Sequence, residues 1–242
     1  MEDLVFRMMA FSDFQEFQRA CLDSREELTK YLDLGKYMEF FLFTDYWSFF
    51  SKMLKEPDSN VYGLFEAKKL LGSAIAMPAN RHFGAHLIGW IRHGYHSRGL
   101  ASFYLEKLID RCFQNGHLFV EMVIDQENDP SKRVAEKLGL SKVREWENAE
   151  SGQGLGNSGR FVLYYAFSDQ IKELAMNYDL QPQEILEQLW ALEALGLVES
   201  PKMIQKPSQF GLNRISQNLR FLNMEKSTKP TDVNYSHETT LR

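Results

Sequence analysis

The chain has 242 residues, of which 44% are apolar and 25% charged, with a net charge of −5. That is enough for one large soluble domain, or one domain with a small appendage, and the acidic balance argues against coating nucleic acid with the surface as a whole. Cys21 and Cys112 are too few for a disulfide framework, the six histidines lack metal-ligand spacing, the acidic N-terminus is no signal peptide, and no apolar run reaches the ~18 residues of a membrane span; a reduced, cytoplasmic protein without a structural metal is the expectation.

In chain order, residues 3–9 alternate as a first strand. "SDFQEFQRACL" then reads as a helix with Ser12 at its N-cap and Phe14, Phe17 and Cys21 on one face. "SREELTKYL" (24–32) repeats the pattern, and Ser24 followed by Glu27 is a capping-box spacing. Residues 45–56 read as a third helix. "VYGLFEA" (61–67) and "KLLGSAIAMPA" (69–79) read as a hairpin, and "AHLIGWIRHGY" (85–95) as a further strand. A long helix follows "HSRGLA" (96–101), then a strand over 118–125 and a helix over 129–139. Two strands, 142–149 and 160–167, flank a glycine-rich loop. The carboxylate of Glu121 falls inside an apolar strand, where alternation would point it outward.

Two segments carry chemistry. Residues 96–101 place Gly99 at a helix start just after a strand. A helix N-terminus holds unpaired amides and partial positive charge, so it attracts anions, and glycine lets an anion approach the backbone. Ala101, Leu105, Leu108 and Cys112 then mark one buried face. In "NDPSKRVAEKLGL" (128–140), Asp129 suits an N-cap, Pro130 the first turn and Gly139 the helix end, while Val134 and Leu138 suit the core.

The order strand, "HSRGLA", long helix, apolar strand and "NDPSKRVAEKLGL" resembles the GNAT acetyltransferases. The resemblance covers residues 3–167. It implies an α/β GNAT fold, a mixed and mostly antiparallel central sheet flanked by helices, and an acetyl-CoA-dependent N-acetyltransferase acting on a primary amine by direct transfer. In the family the first motif begins with Gln or Arg and cradles the pyrophosphate; here His96 stands at that position, a departure. The resemblance assigns acetyl-CoA to His96, Ser97, Arg98, Gly99, Leu100 and Ala101, and the pantetheine arm to Asn128. It makes Ser131 the acid for the leaving thiolate and Glu150 the base. "SREELTKYL" and the Asn128–Ser131 spacing look like the Rim type, which acetylates ribosomal-protein N-termini. A catalytically degenerate relative that binds CoA or a partner is the alternative.

Direct transfer needs a deprotonated amine, a polarised thioester carbonyl and a stabilised thiolate, but no covalent nucleophile and no metal. Backbone amides of the strand 86–93 could polarise the carbonyl. Glu27, the aromatic group 37–47 and His93 are candidates for the acceptor site, and His93 and Tyr95 border the loop as possible proton relays. Glu121 is the second candidate for the base.

From residue 168 the period is purely helical. We divide the chain into a transferase unit (1–167), a helical, winged-helix-like appendage (168–223) and a disordered tail (224–242). Ile185, Leu189 and Leu192 form an apolar face, with Leu186 and Leu195 beside it. The second helix carries Glu184, Glu187 and Glu193 and no basic residue, which opposes docking on phosphate and argues against DNA as a partner. Packing on the transferase, a protein partner or a homodimer fits the segment better; a transcriptional regulator is the remaining alternative.

Overall fold

One mixed sheet organises the residues described by the computed structural model, namely 4–32, 47, 50, 51, 54, 55, 60–79, 81–147 and 159–196. In chain order its strands are β1 (Leu4–Met8), β2 (Asn60–Glu66), β3 (Lys69–Pro78), β4 (Gly84–Ile91), β5 (Phe119–Asp125), β6 (Ser141–Glu147) and β7 (Arg160–Phe167). Their order across the sheet is β1-β2-β3-β4-β5-β7-β6. All neighbours are antiparallel except β4 and β5. That parallel step requires a crossover, supplied by α3 (Leu100–Gln114). The other helices are α1 (Phe14–Asp23), α2 (Arg25–Tyr31), α4 (Asp129–Lys137), α5 (Asp169–Tyr178) and α6 (Pro182–Ala194). Of the helix expected over 45–56, the five described residues are helical.

Side-chain alternation separates three apolar clusters. On one face, Leu64, Leu87, Val120 and Val162 pack beneath Leu105 and Leu108 of α3 and Ala135 of α4. On the other face, α1 and α2 cover β2 and β3 through Phe14, Phe17, Cys21 and Leu28, joined by Phe50. At the far end of that face, Phe119, Leu163, Tyr165 and Phe167 pack against Ile171 and Ala175 of α5 and Ile185, Leu186 and Leu189 of α6. The two C-terminal helices and the sheet therefore share one core, although the sequence changes character at residue 168. His82 and Glu193 pair at 2.5 Å, and Trp190 Nε1 donates to the His82 carbonyl at 3.2 Å. Leu195, expected beside the apolar stripe, is instead exposed at the end of α6. The wing expected after α6 and the tail 224–242 lie outside the described residues.

Several local expectations change. Asp13, not Ser12, secures the start of the first helical segment: its Oδ2 accepts from the Ala10 amide at 2.8 Å, and the same carboxylate pairs with Arg7. Ser24 and Glu27 do not form a capping box. Ser24 Oγ donates to the Ala20 carbonyl and accepts from the His93 amide, so the hydroxyl joins the helices to the end of β4. Asp129 does not cap α4; Asn128 does.

Candidate active site

β4 and β5 are paired only over Gly84–Phe119, Ala85–Val120 and His86–Glu121. β4 then continues to Ile91 and β5 to Asp125 without further pairing. The sheet splits into a V that opens towards the C-terminal ends of both strands. Along its inner edge β4 offers backbone amides with no partner strand, available to an extended ligand or a polarised carbonyl. Gly89 lies in this stretch. A Cβ there would come within 2.5 Å of the Tyr104 hydroxyl, so glycine lets α3 sit close against the strand.

The β4–α3 turn brings the chain from the V into a helix start. Gly94, Ser97 and Gly99 have φ of 80°, 62° and 75°. Gly99 is the N-cap of α3, and no side chain caps this helix; the first helical backbone bond runs from Phe103 N to Gly99 O at 3.0 Å. The amides of Leu100, Ala101 and Ser102 precede that bond and have no acceptor within the helix. A Cβ built on Gly99 would meet nothing within 4 Å. The helix start is thus an open cradle of backbone donors, with the guanidinium of Arg98 stacked near the Tyr95 ring at 4.9 Å.

This turn is held from below by a residue the sequence reading missed. Arg92 is buried, with Nε and Nη2 donating to Asp23 at 2.8 and 2.6 Å and Nη1 donating to Glu16 at 2.6 Å. Nη1 also donates to the Leu70 carbonyl. A buried guanidinium needs such partners. Nothing in the local pattern marked Arg92, because its partners lie 69 and 76 residues away.

His93 and Glu27 come together, with Nδ1 and Oε1 2.5 Å apart. The bond to Glu27 raises the imidazole pKa of His93. Burial is the largest single influence on the Glu27 carboxyl and raises it, but the hydrogen bonds from His93 and from its own backbone, with the charges of His93 and His96, together bring the net shift downward. His96 turns back on the chain and donates from Nε2 to the Ile91 carbonyl at 3.0 Å. In place of a Gln or Arg arm, this side chain braces the turn. Glu27, His93 and His96 each present a donor atom within 4.8 Å of the others, a set that a divalent cation could share.

At the end of β5, Asn128 caps α4: its Oδ1 accepts from the Ser131 amide at 3.2 Å. Pro130 follows in the first turn, and Lys132 Nζ bridges the Gln126 carbonyl and Asp129. The Ser131 hydroxyl is half-buried and makes no hydrogen bond among the described residues. Glu150 and residues 37–46 of the aromatic group lie outside the described residues. Cys21 and Cys112 are both buried. Burial pushes both thiols up, that of Cys112 to about 12. Neither is suited to nucleophilic attack near neutral pH.

The family description that matches this chain is an Acetyltransferase (GNAT) domain, over residues 3–141. The chain belongs to the GNAT acetyltransferase family. Membership makes it an N-acetyltransferase and accounts for the seven-stranded mixed sheet with its V. No curated protein matches the chain in sequence. Among solved structures it is similar to a ribosomal L7/L12 alpha-N-protein acetyltransferase, RimL, in complex with coenzyme A. The identity there is 15% and the TM-score 0.62, with 70% of this chain and 96% of that one covered. It is similar also to the ribosomal-protein-S5-alanine acetyltransferase of Vibrio fischeri, at 15% identity, TM-score 0.58 and coverages of 70% and 95%. A third is the microcin C7 self-immunity acetyltransferase MccE in complex with acetyl-CoA and AMP, at 13% identity, TM-score 0.61 and coverages of 69% and 94%. At these identities the likeness is one of fold. The Gly99 helix start combines backbone donors, no side-chain cap and open space above the glycine, features that suit an anion.

Proposed function

We propose that the protein transfers the acetyl group of acetyl-CoA directly to a primary amine, that of a protein N-terminus or of a small molecule, in the cytoplasm. The uncapped start of α3, set where the β4–β5 V opens, carries this reading. Three backbone amides, from Leu100 to Ser102, are open to an anion without a competing side chain. Arg98, the backbone at Gly99 and these amides would hold the pyrophosphate, with Ser97 and His96 shaping the turn. Asn128 has its Oδ1 engaged in the cap and its Nδ2 left to donate to a carbonyl of the pantetheine arm. Acetyl-CoA supplies an activated acyl group.

The chain's own part is to align, polarise and move protons. Free amides on the inner edge of β4 stabilise negative charge on the thioester carbonyl oxygen. Ser131, with an uncommitted hydroxyl, gives a proton to the departing thiolate. Holding both substrates together supplies much of the rate, so neither a covalent intermediate nor a metal is needed. Helix α2 and Glu27 border the face from which the amine would arrive. No helix among the described residues is long and apolar enough to cross a membrane.

The test is a turnover screen with free CoA as the readout. The acceptors are peptides with ribosomal-protein N-termini, aminoacyl nucleotide analogues, polyamines and aminoglycosides. Release of CoA that depends on one acceptor class is the expected result. Saturable acetyl-CoA binding without release across the panel would reduce the protein to a CoA-binding member of the fold.

A further inference from the structure

His86 and Glu121 occupy the vertex of the V. They are the last residue pair joining β4 to β5 before the strands separate. His86 Nδ1 lies 3.1 Å from Glu121 Oε1, and the side chains are only 14% and 10% exposed. Glu121 does not point outward as alternation suggested. It shares a face with Phe119, which packs under α5 and α6, and His86 shares a face with Trp90, which packs beside α1. Neither residue belongs to an apolar cluster. They lie between the α1–α2 layer and the α5–α6 layer, on the face opposite α3 and α4. A carboxylate and an imidazole held this deep are costly unless paired, and a hydrophobic pair would fill the space at no such cost. Their position is the one where an acyl group lying in the V would meet an amine arriving from the open face.

We propose that His86 is the general base of the transfer and that Glu121 is its positioning residue; the proposal rests on the acetyl-transfer reading above. Glu121 fixes the imidazole with its N–H on Nδ1, which leaves the Nε2 lone pair to accept a proton. The ammonium of the acceptor gives one proton to Nε2. The freed nitrogen lone pair forms the carbon–nitrogen bond with the acetyl carbonyl, and the carbon–sulfur bond breaks with its electron pair on sulfur. The second amine proton passes to the thiolate through Ser131, giving amide and CoA–SH, and His86 returns its proton to solvent. The other titratable neighbour is Tyr165, the register partner of Glu121 on β7. Burial and the Glu121 charge both raise the Tyr165 phenol, and Arg81, Arg144 and Glu187 also act on it. It stays protonated through the neutral range.

The experiment compares full-length wild type, His86→Gln, Glu121→Gln and Glu150→Gln with an active acceptor from the screen, over pH 6–9.5. His86→Gln is expected to lose about a hundredfold in kcat/KM at pH 7, with acetyl-CoA affinity unchanged by calorimetry. The deficit should shrink as pH rises towards the amine pKa, and also with a weakly basic amine that is already neutral at pH 7. Glu121→Gln is expected to lose less. Its loss should fall on kcat rather than KM, because the imidazole is no longer held in line with the amine. Glu150→Gln should keep the wild-type pH profile. A His86→Gln enzyme that matches wild type at every pH overturns the proposal alone, as does loss of the acidic limb in Glu150→Gln but not in His86→Gln. If Glu121→Gln fails to fold, His86→Gln decides by itself through the weakly basic amine. A wild type that releases no CoA with any amine overturns the acetyl-transfer reading, and this proposal with it.

Discussion

Helices α3 and α4 begin at the C-terminal ends of two strands that run parallel, and each begins with amides that its own turns cannot satisfy. At α4 the chain solves this internally, since Asn128 accepts from the Ser131 amide and Pro130 removes one donor. At α3 no side chain caps the helix, and a left-handed glycine holds the space above it open. A capped start is satisfied within the chain, and an uncapped one at the mouth of a cleft leaves its amides to water or to a ligand. The same pairing of strand end and helix start therefore gives one open end and one closed end. Arg92 deepens the contrast. Its buried guanidinium ties the α3 turn to α1 by ion pairs with the part-buried Glu16 and the exposed Asp23, which anchors the uncapped start.

The largest effect is expected at the open start. Gly99→Val would force a branched residue to φ 75° and fill the space above the helix. We expect acetyl-CoA affinity to fall tenfold or more, at least about 1.4 kcal/mol, while the fold persists. Isothermal calorimetry and circular dichroism check both halves. Equal affinity in the variant would show that the pyrophosphate does not use this cradle.

The capped start should respond differently. Ser131→Ala keeps the amide that Asn128 caps, so stability should hold, while turnover falls by roughly tenfold through loss of the proton donor. Asn128→Ala removes the cap and should cost about 1 kcal/mol of stability, read as a lower midpoint in urea. An Asn128→Ala protein as stable as wild type would mean that the two helix starts are not satisfied differently.

How far this contrast could be read from sequence depends on the range of the forces involved. The Gly99 start and the Asn128–Ser131 spacing are local, and both were legible. So were most strand positions, because period-2 alternation is a short-range signal. The cap of α4 was assigned to Asp129 rather than Asn128, an error of one residue, since both types cap helices equally well. Ser24 and Glu27 were read as a capping box because the spacing is right. In the fold both side chains reach His93, 69 and 66 residues on. Such long-range partners are invisible to spacing, and the same is true of Arg92 with Glu16 and Asp23. Glu121 was read as outward-facing from alternation alone. Both faces of β5 are covered, so alternation could not tell solvent from a buried imidazole. The composition change at residue 168 marks a switch from mixed to helical structure. Whether it also marks a separate folding unit turns on the apolar side chains of α5 and α6, and these pack directly on Phe119 and Leu163 of the sheet.

The smallest effect belongs to the His93–Glu27 pair, which links α2 to the turn before the open helix start. The bond to Glu27 raises His93 above its ordinary value of 6.5. Glu27 falls below its ordinary 4.5, because the hydrogen bonds to it and the His93 and His96 charges together outweigh burial. The sign follows from linkage. A raised imidazole stabilises the fold fully below pH 6.5, and this contribution is lost as pH rises through the higher folded value. A lowered carboxyl contributes above pH 4.5 and loses its contribution as pH falls through the lower folded value. The pair therefore acts in full between those limits. Since His93 is exposed, solvent screens it and the effect on global stability should be slight. Its clearest readout is the imidazole itself. An NMR titration should place the His93 midpoint above 6.5 in the wild type and bring it down in Glu27→Gln, with the α3 amides of residues 100–102 shifting along the same curve. A midpoint that does not move in Glu27→Gln would separate α2 from the turn, leaving Arg92 and the Ser24–His93 hydrogen bond to hold the open start in place.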